Sequence, residues 1–207
     1  MMSSILAQWS HSAPHPDQAL VLPDGCRDVV VVRHADGRAG WFLTDLQSGP
    51  LTVSLAAGVA LQGYRLAPGA RVDTDKFGDA WSADLSAGEV EGLIDVVTTR
   101  DVYLEDSLAA LAAGAALPCD ASVQRRWQRL FKAQTGQSPV FWRNLARARR
   151  AARALQAGAP AIAVAADTGY SDQAHLSREM RRWFGLSPTA TAQSNAIAHF
   201  LLEPAYA

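Results

Sequence analysis

AIAVAADTGYSDQAHLSREMRRWFGLSP, residues 161–188, reads as two short helices around a tight turn. Gly169 stops the first, a Ser-Asp pair starts the second, and Gly185 followed by Ser187-Pro188 stops that one and opens another. With Leu176 at zero and 100° per residue, Leu176, Met180, Trp183 and Phe184 belong to an apolar face. Ala174, His175, Arg178, Arg181 and Arg182 fall between about 140° and 260°, a cationic and hydrogen-bonding face.

A shift of 49 residues superposes the preceding stretch on this one: Trp127 on Leu176, Arg129 on Arg178, Phe131 on Met180, Lys132 on Arg181, Gly136 on Gly185, Ser138 on Ser187 and Pro139 on Pro188. Arg125, Gln128, Arg129 and Lys132 form the matching polar face of the first copy, opposite a core of Trp127, Leu130 and Phe131. Repetition favours two equivalent units. A solvated face is the plain reading of one arginine-bearing helix, and two copies with Arg and Gln in the same place argue for recognition. Between them, Pro139 to Leu155 aligns Phe141, Leu145, Ala148, Ala152 and Leu155 in one stripe, with Arg143, Arg147, Arg149, Arg150 and Arg153 opposite, as in a long linking helix whose arginine flank contacts phosphate or is simply solvated.

Charge divides the chain in the same way. Among 207 residues with a formal charge of −1, residues 1–119 hold 7 basic and 15 acidic side chains and residues 120–207 hold 12 and 5. The basic half suits an anionic partner, and the imbalance makes an autoinhibitory contact between the halves an expectation. No apolar run approaches the roughly 20 residues of a membrane helix, and no signal segment opens the chain, so a cytoplasmic protein without a membrane partner is expected. Cys26 and Cys119 stand far apart, so neither a disulfide framework nor a zinc finger is indicated.

Upstream, from Ala19 to Ala70, short β-prone runs alternate with turn dipeptides: LVLP, Asp24-Gly25, RDVVVVRH, Asp36-Gly37, AGWFLT, then Leu51 to Leu55, Val59 to Leu66 and Pro68-Gly69. These predict a small antiparallel sheet with mostly sequential strands, Val29 to Val32 buried on both faces. Residues 71–87 show no period and read as a connection, followed by a helix over 88–99. Helices are then predicted over 106–116, 122–134, 139–157, 160–168 and 171–184, with a weaker one over 187–202. The fold class is α+β. The divisions expected are 1–87, a β-rich sensor or dimerisation domain, 88–104, a linking helical region, and 105–207, the helical domain.

The 161–188 stretch resembles the C-terminal signature of AraC/XylS transcription regulators, which carry two helix-turn-helix units joined by a long helix. Ala165, Gly169, Tyr170, Asp172, His175, Leu176, Arg178, Gly185 and Ser187-Pro188 carry the resemblance, with Met180 where Phe is usual. VQRRWQRLFKAQTGQSP, residues 123–139, is similar through Arg125, Arg129, Phe131, Gly136 and Pro139, and Arg147 fits the arginine of the linking helix. The first unit departs at Val123, at Trp127 and at LPCD, residues 117–120, where the family has a Gly-containing turn.

The resemblance implies a non-enzymatic, sequence-specific regulator, an activator by family habit. Its partners would be double-stranded promoter DNA, RNA polymerase, a small-molecule effector and a second copy of the chain, with no cofactor and no metal. Arg125, Gln128 and Arg129 in the first unit, and Gln173, His175, Ser177 and Arg178 in the second, would read bases, since Arg suits guanine and Gln adenine. Lys132, Arg143, Arg147, Arg181 and Arg182 would contact phosphate. VLPDGCRDVVV and LQGYRLAPGA are similar to an uncharacterised β-rich domain found ahead of such DNA-binding domains, where Arg27, Trp41 and Arg65 are candidates for an acidic-ligand pocket.

Two alternatives stay open. One is a DNA-alkylation sensor or repair protein using Cys26 as a thiolate; the other is a protein-interaction adaptor that keeps the fold without binding DNA. Cys26 and His34, with His11 or His15, match no established metal template.

Overall fold

The computed structural model describes residues 3–207. Strands β1 (Ile5–Ala13), β3 (Asp28–Arg33), β4 (Ala39–Leu43) and β6 (Val59–Leu66) form one antiparallel sheet in the order β1-β6-β3-β4. Strands β2 (Asp17–Val21) and β5 (Leu51–Leu55) pair separately, as do β7 (Arg71–Val72) and β8 (Thr98–Thr99).

The strand pairing is therefore not the sequential one expected. Asp36-Gly37 does close a hairpin between β3 and β4, Gly37 N–H donating to the His34 carbonyl at 3.0 Å. Asp24-Gly25 closes none, because β2 pairs with β5. β1 lies ahead of the region in which strands were expected. Its alternation is carried by Ile5, Ala7, Trp9 and His11, a face too weakly apolar to announce a strand.

Val29, Val30 and Val31 are buried, as their continuous run demands. One sheet face carries Val29, Val31, Tyr64 and Leu66 and is covered by helices α1 (Thr74–Ala80) and α2 (Ala87–Val97). α1 falls where no element was expected. Asp73 caps it by accepting from Lys76 N–H, and a single anchor, Phe77, is buried against Trp41, which leaves too little repeat to read as a period. α2, expected within a linking region, starts with a capping box from Ser86 and Glu89 and buries Val90, Ile94 and Val97 against the sheet.

On the opposite face the Trp9 indole lies on Gly63, where no side chain intervenes, and donates to Asp28 at 2.9 Å. Arg65 meets Asp24 at 3.1 Å and Asp28 at 3.5 Å on this face.

The second core is helical: α3 (Val102–Ala112), α4 (Ala121–Thr135), α5 (Pro139–Gln156), α6 (Ala161–Asp167), α7 (Gln173–Phe184), α8 (Pro188–Gln193) and α9 (Asn195–Leu202). The weak segment over 187–202 divides at Ser194, whose side chain accepts from Ile197 N–H and caps α9.

α5 is the axis of this half. It is buried on more than the expected stripe: Leu145, Ala146, Ala148, Arg149, Ala151 and Ala152 are all fully covered. Arg149 is thus no part of an exposed flank. Its guanidinium lies 4.6 Å from the Phe200 ring centroid, and burial, with Arg153 nearby, pulls its pKa down to about 10.

The two halves dock, and not through their opposite charges. Leu22 and Leu46 from the β-rich part enter the helical core, and Asp24 accepts from Tyr206 N–H at 2.9 Å. Among the described residues the one ion pair across the junction, Arg65 with Glu203 at 2.9 Å, takes its cation from the acidic half. Among the described residues no helix is long and apolar enough to cross a membrane, and no three His, Cys, Asp or Glu side chains gather as a metal site would need.

Candidate nucleic-acid interface

α7 is held by four buried side chains, Leu176, Met180, Trp183 and Phe184, each contributing roughly 1.5–3 kcal/mol by burial. Asp172 caps its start, accepting from His175 N–H at 2.6 Å, and that hydrogen bond, with the Arg178 charge nearby, holds the carboxyl below its ordinary pKa. The turn from α6 takes five residues, 168–172, and Tyr170 plugs it from inside.

The polar face left outside carries Gln173, Arg178, Arg181 and Arg182, all exposed. His175 and Ser177 are half-buried. The His175 ring packs edge-on to Tyr170 at 5.1 Å, and its Nδ1 lies 3.1 Å from Ser171 Oγ. Arg182 lies 3.7 Å from Glu179 and over the Trp183 ring.

α4 repeats the plan with less burial. Only Phe131 and Thr135 are fully covered, while Trp127 and Leu130 are half-buried. Eight residues, 113–120, connect it to α3, longer than the three or four of a standard turn, which is the departure that LPCD announces. Asp120 bonds Ser122 N–H, Val123 N–H and the Ser122 hydroxyl, starting α4 with one turn more than α7 has. Arg125, Gln128, Arg129 and Lys132 line an open groove together with Ala133 and Ser138. Lys132 Nζ also donates to the Gly136 carbonyl at 2.8 Å, closing its own helix.

At their far ends the two helices match. Each stops at a left-handed glycine, Gly136 at φ 74° and Gly185 at φ 73°, and each is followed by a Ser that caps the next helix and a Pro in its first turn. The 49-residue offset is thus a repeat of structure.

Two helix pairs, each with an exposed Arg- and Gln-bearing second helix, and joined by one long buried helix, match a known construction. Residues 122–194 match the family model described as a helix-turn-helix domain.

The chain carries a helix-turn-helix domain.

In this helix-turn-helix domain the arginines of the linking helix are turned to internal use. Arg150 Nη1 donates to the Ala112 carbonyl at 2.6 Å, at the end of α3, and Arg147 Nη1 donates to the Gly169 carbonyl at 3.2 Å, in the turn after α6. Arg149 and Arg153 both donate to the Ala207 carbonyl, at 2.9 and 2.6 Å. Arg143 is half-buried beside Asn144.

The pocket candidates of the β-rich part are not brought together. Arg65 is engaged by Asp24, Asp28 and Glu203, and Trp41, on the other face of the sheet, packs on Phe77. Arg27 donates to the Thr135 carbonyl of α4 at 3.1 Å, a contact no local pattern reveals. Cys26 is 6% exposed, and burial beside Asp24 pushes its thiol far above the ordinary range, opposite to what a nucleophilic thiolate needs.

Among solved structures the chain is similar to ToxT from Vibrio cholerae O395, at 8% identity and a TM-score of 0.43 over 90% of this chain and 96% of that one. It is also similar to unsaturated fatty acid-bound wild-type ToxT from Vibrio cholerae strain SCE256, at 8% identity and a TM-score of 0.38 over 88% and 92%. No curated protein sequence matches the chain.

Proposed function

We propose that this protein is a sequence-specific, non-enzymatic DNA-binding transcription regulator of the AraC/XylS type, in which α4 and α7 enter successive major-groove segments on one face of promoter DNA. The observation that carries this reading is the pair of exposed Arg/Gln faces on two helices whose C-terminal ends are built identically. Arg125, Gln128 and Arg129 on α4, and Gln173, His175, Ser177 and Arg178 on α7, are the base readers. Gln173 and Arg178 stand at the front of that group, because the His175 ring is engaged with Ser171 and Tyr170 at the start of its own helix and Ser177 is half-buried.

Arg181 and Arg182 at the end of α7 and Lys132 and Arg143 around α4 contact phosphate, supplying the salt-dependent share of the affinity. Arg147 we assign instead to the protein, since its guanidinium is spent on Gly169 and Tyr170. The β-rich part modulates the helical part in response to an effector or through self-association. The protein acts in the cytoplasm as an activator, with RNA polymerase as its protein partner.

Selection of duplexes from a random library by the full chain tests this. Two enriched elements about one helical turn, 10–10.5 base pairs, apart are expected. A single element would reduce the reading to one working unit, and no enrichment would overturn it.

A further inference from the structure

The loops at one end of the β3–β4 hairpin reach both reading helices, and they reach them at equivalent places. Before β3, Arg27 Nη2 donates to the Thr135 carbonyl and lies 3.5 Å from where a Cβ on Gly136 would stand. After β4, the Pro50 ring lies 3.3 Å from where a Cβ on Gly185 would stand, and the corresponding position on Gly49 is 3.0 Å from the Arg182 carbonyl. Gly136 and Gly185 are the residues that the 49-residue repeat superposes.

The two loops share a root. Thr44 N–H donates to the Asp28 carbonyl at 2.9 Å, and Asp28 N–H donates to Thr44 Oγ1 at 2.7 Å. Two residues before Arg27, Gly25 sits against Trp142 and Leu145 of α5 and against Tyr206, so close that a Cβ there would collide with Tyr206.

We infer that this end of the hairpin is a two-point clamp that fixes the separation of α4 and α7, with Arg27 and Pro50 as its positioning residues. The physical need is greatest at α4, which buries only Phe131 and Thr135 and hangs on an eight-residue connection. The last carbonyls of a helix lack internal partners and carry the negative end of its dipole, so a guanidinium there both satisfies and stabilises. Pro50, a rigid ring with no donor, limits the end of α7 by shape. Any event that shifts the β3–β4 end moves both contacts together. The clamp gains its purpose from the DNA-binding reading, but its geometry is measurable without DNA.

Pulsed dipolar spectroscopy on the full chain tests it, with nitroxides at Ala133→Cys on α4 and Ala174→Cys on α7 and with Cys119→Ser removing the exposed native thiol. The parent gives one narrow distance distribution. Arg27→Ala and Pro50→Ser each broaden and shift it, Arg27→Lys restores most of it, and circular dichroism shows all of them folded. Should Arg27→Ala unfold, Pro50→Ser and Arg27→Lys carry the comparison. On the selected duplex, inserting one base pair between the elements displaces them by about 3.4 Å. The parent then loses about tenfold in affinity, or 1.4 kcal/mol, and the clamp variants lose markedly less.

Unchanged distributions in folded variants overturn the clamp, even if DNA binding is specific. Broadened distributions in a chain that binds no duplex specifically keep the clamp and overturn the DNA-binding reading.

Discussion

Arg147 lies over the ring of Tyr170, its guanidinium carbon 4.3 Å from the ring centroid, and so ties the linking helix to the turn of the second unit. Three residues on, Arg150 does the same for the end of α3 in the first unit through the Ala112 carbonyl. One helix thus staples both turns with two side chains that its sequence pattern offers to solvent. Burial pushes the Tyr170 phenol up to about 12, so the ring stays neutral under the cation at any physiological pH.

Arg147→Ala is expected to cost about 1–2 kcal/mol of stability, from the lost cation–π contact and the carbonyl hydrogen bond. Urea denaturation measures that loss. The same variant should leave the log-log salt slope of DNA binding unchanged, whereas a phosphate contact would make the slope shallower by about 0.9.

Thiol reactivity separates regulator from repair protein. Cys119 is exposed and Cys26 is buried with its thiol pushed up. Native protein should therefore react with a disulfide reagent at one site within seconds and at the second only after unfolding. Intact mass after exposure to an alkylating agent should show no stoichiometric adduct at Cys26; such an adduct would reopen the repair reading.

Helix starts set the acid limit. Asp73, Glu89, Asp120 and Asp172 are each held below their ordinary pKa by bonds to the N–H or hydroxyl groups at the starts of α1, α2, α4 and α7. A depressed carboxylate stabilises the fold fully above its unfolded pKa near 4 and loses that contribution as pH falls below it. Thermal midpoints should be flat from pH 7 to 5 and fall below pH 4. Asp172→Asn keeps a capping oxygen without the charge and should flatten part of that acid limb. An unchanged acid limb would mean that Asp172 contributes little.

The helical half was legible because its punctuation is local. Gly136, Gly185 and the two Ser-Pro pairs stop and restart helices through their own backbone preferences, so α4, α5 and α7 lie within a residue or two of where their sequences put them. β5 and β6 were equally plain. What was hidden depends on partners distant in the chain. The order β1-β6-β3-β4 is set by packing across the sheet, and Asp24-Gly25 reads as a hairpin turn until Tyr206 and Trp142 are found beside it. Arg147 and Arg150 sit at positions a helical wheel calls solvated, and only the neighbouring turns show why they are spent. Arg27 reads from sequence as a candidate for an acidic-ligand pocket with Trp41 and Arg65, whereas the carbonyl it serves lies 108 residues away.

The two glycine stops make a matched pair of variants. Gly136→Ala and Gly185→Ala each place a side chain at positive φ, which costs about 1–2 kcal/mol. Gly185→Ala should cost more, because the new methyl meets the Pro50 ring, whereas at Gly136 the nearest group is the movable end of Arg27. Equal losses would indicate that the Pro50 loop yields freely.

The central claim is tested most directly by fluorescence anisotropy of the full chain on its own upstream intergenic duplex and on a scrambled duplex, across a salt series, with Arg178→Ala alongside. Preference for the native duplex is expected, with Arg178→Ala losing about 1–3 kcal/mol there and little on the scrambled one. Equal, weak binding to both duplexes, indifferent to Arg178, would contradict a sequence-reading role for α7.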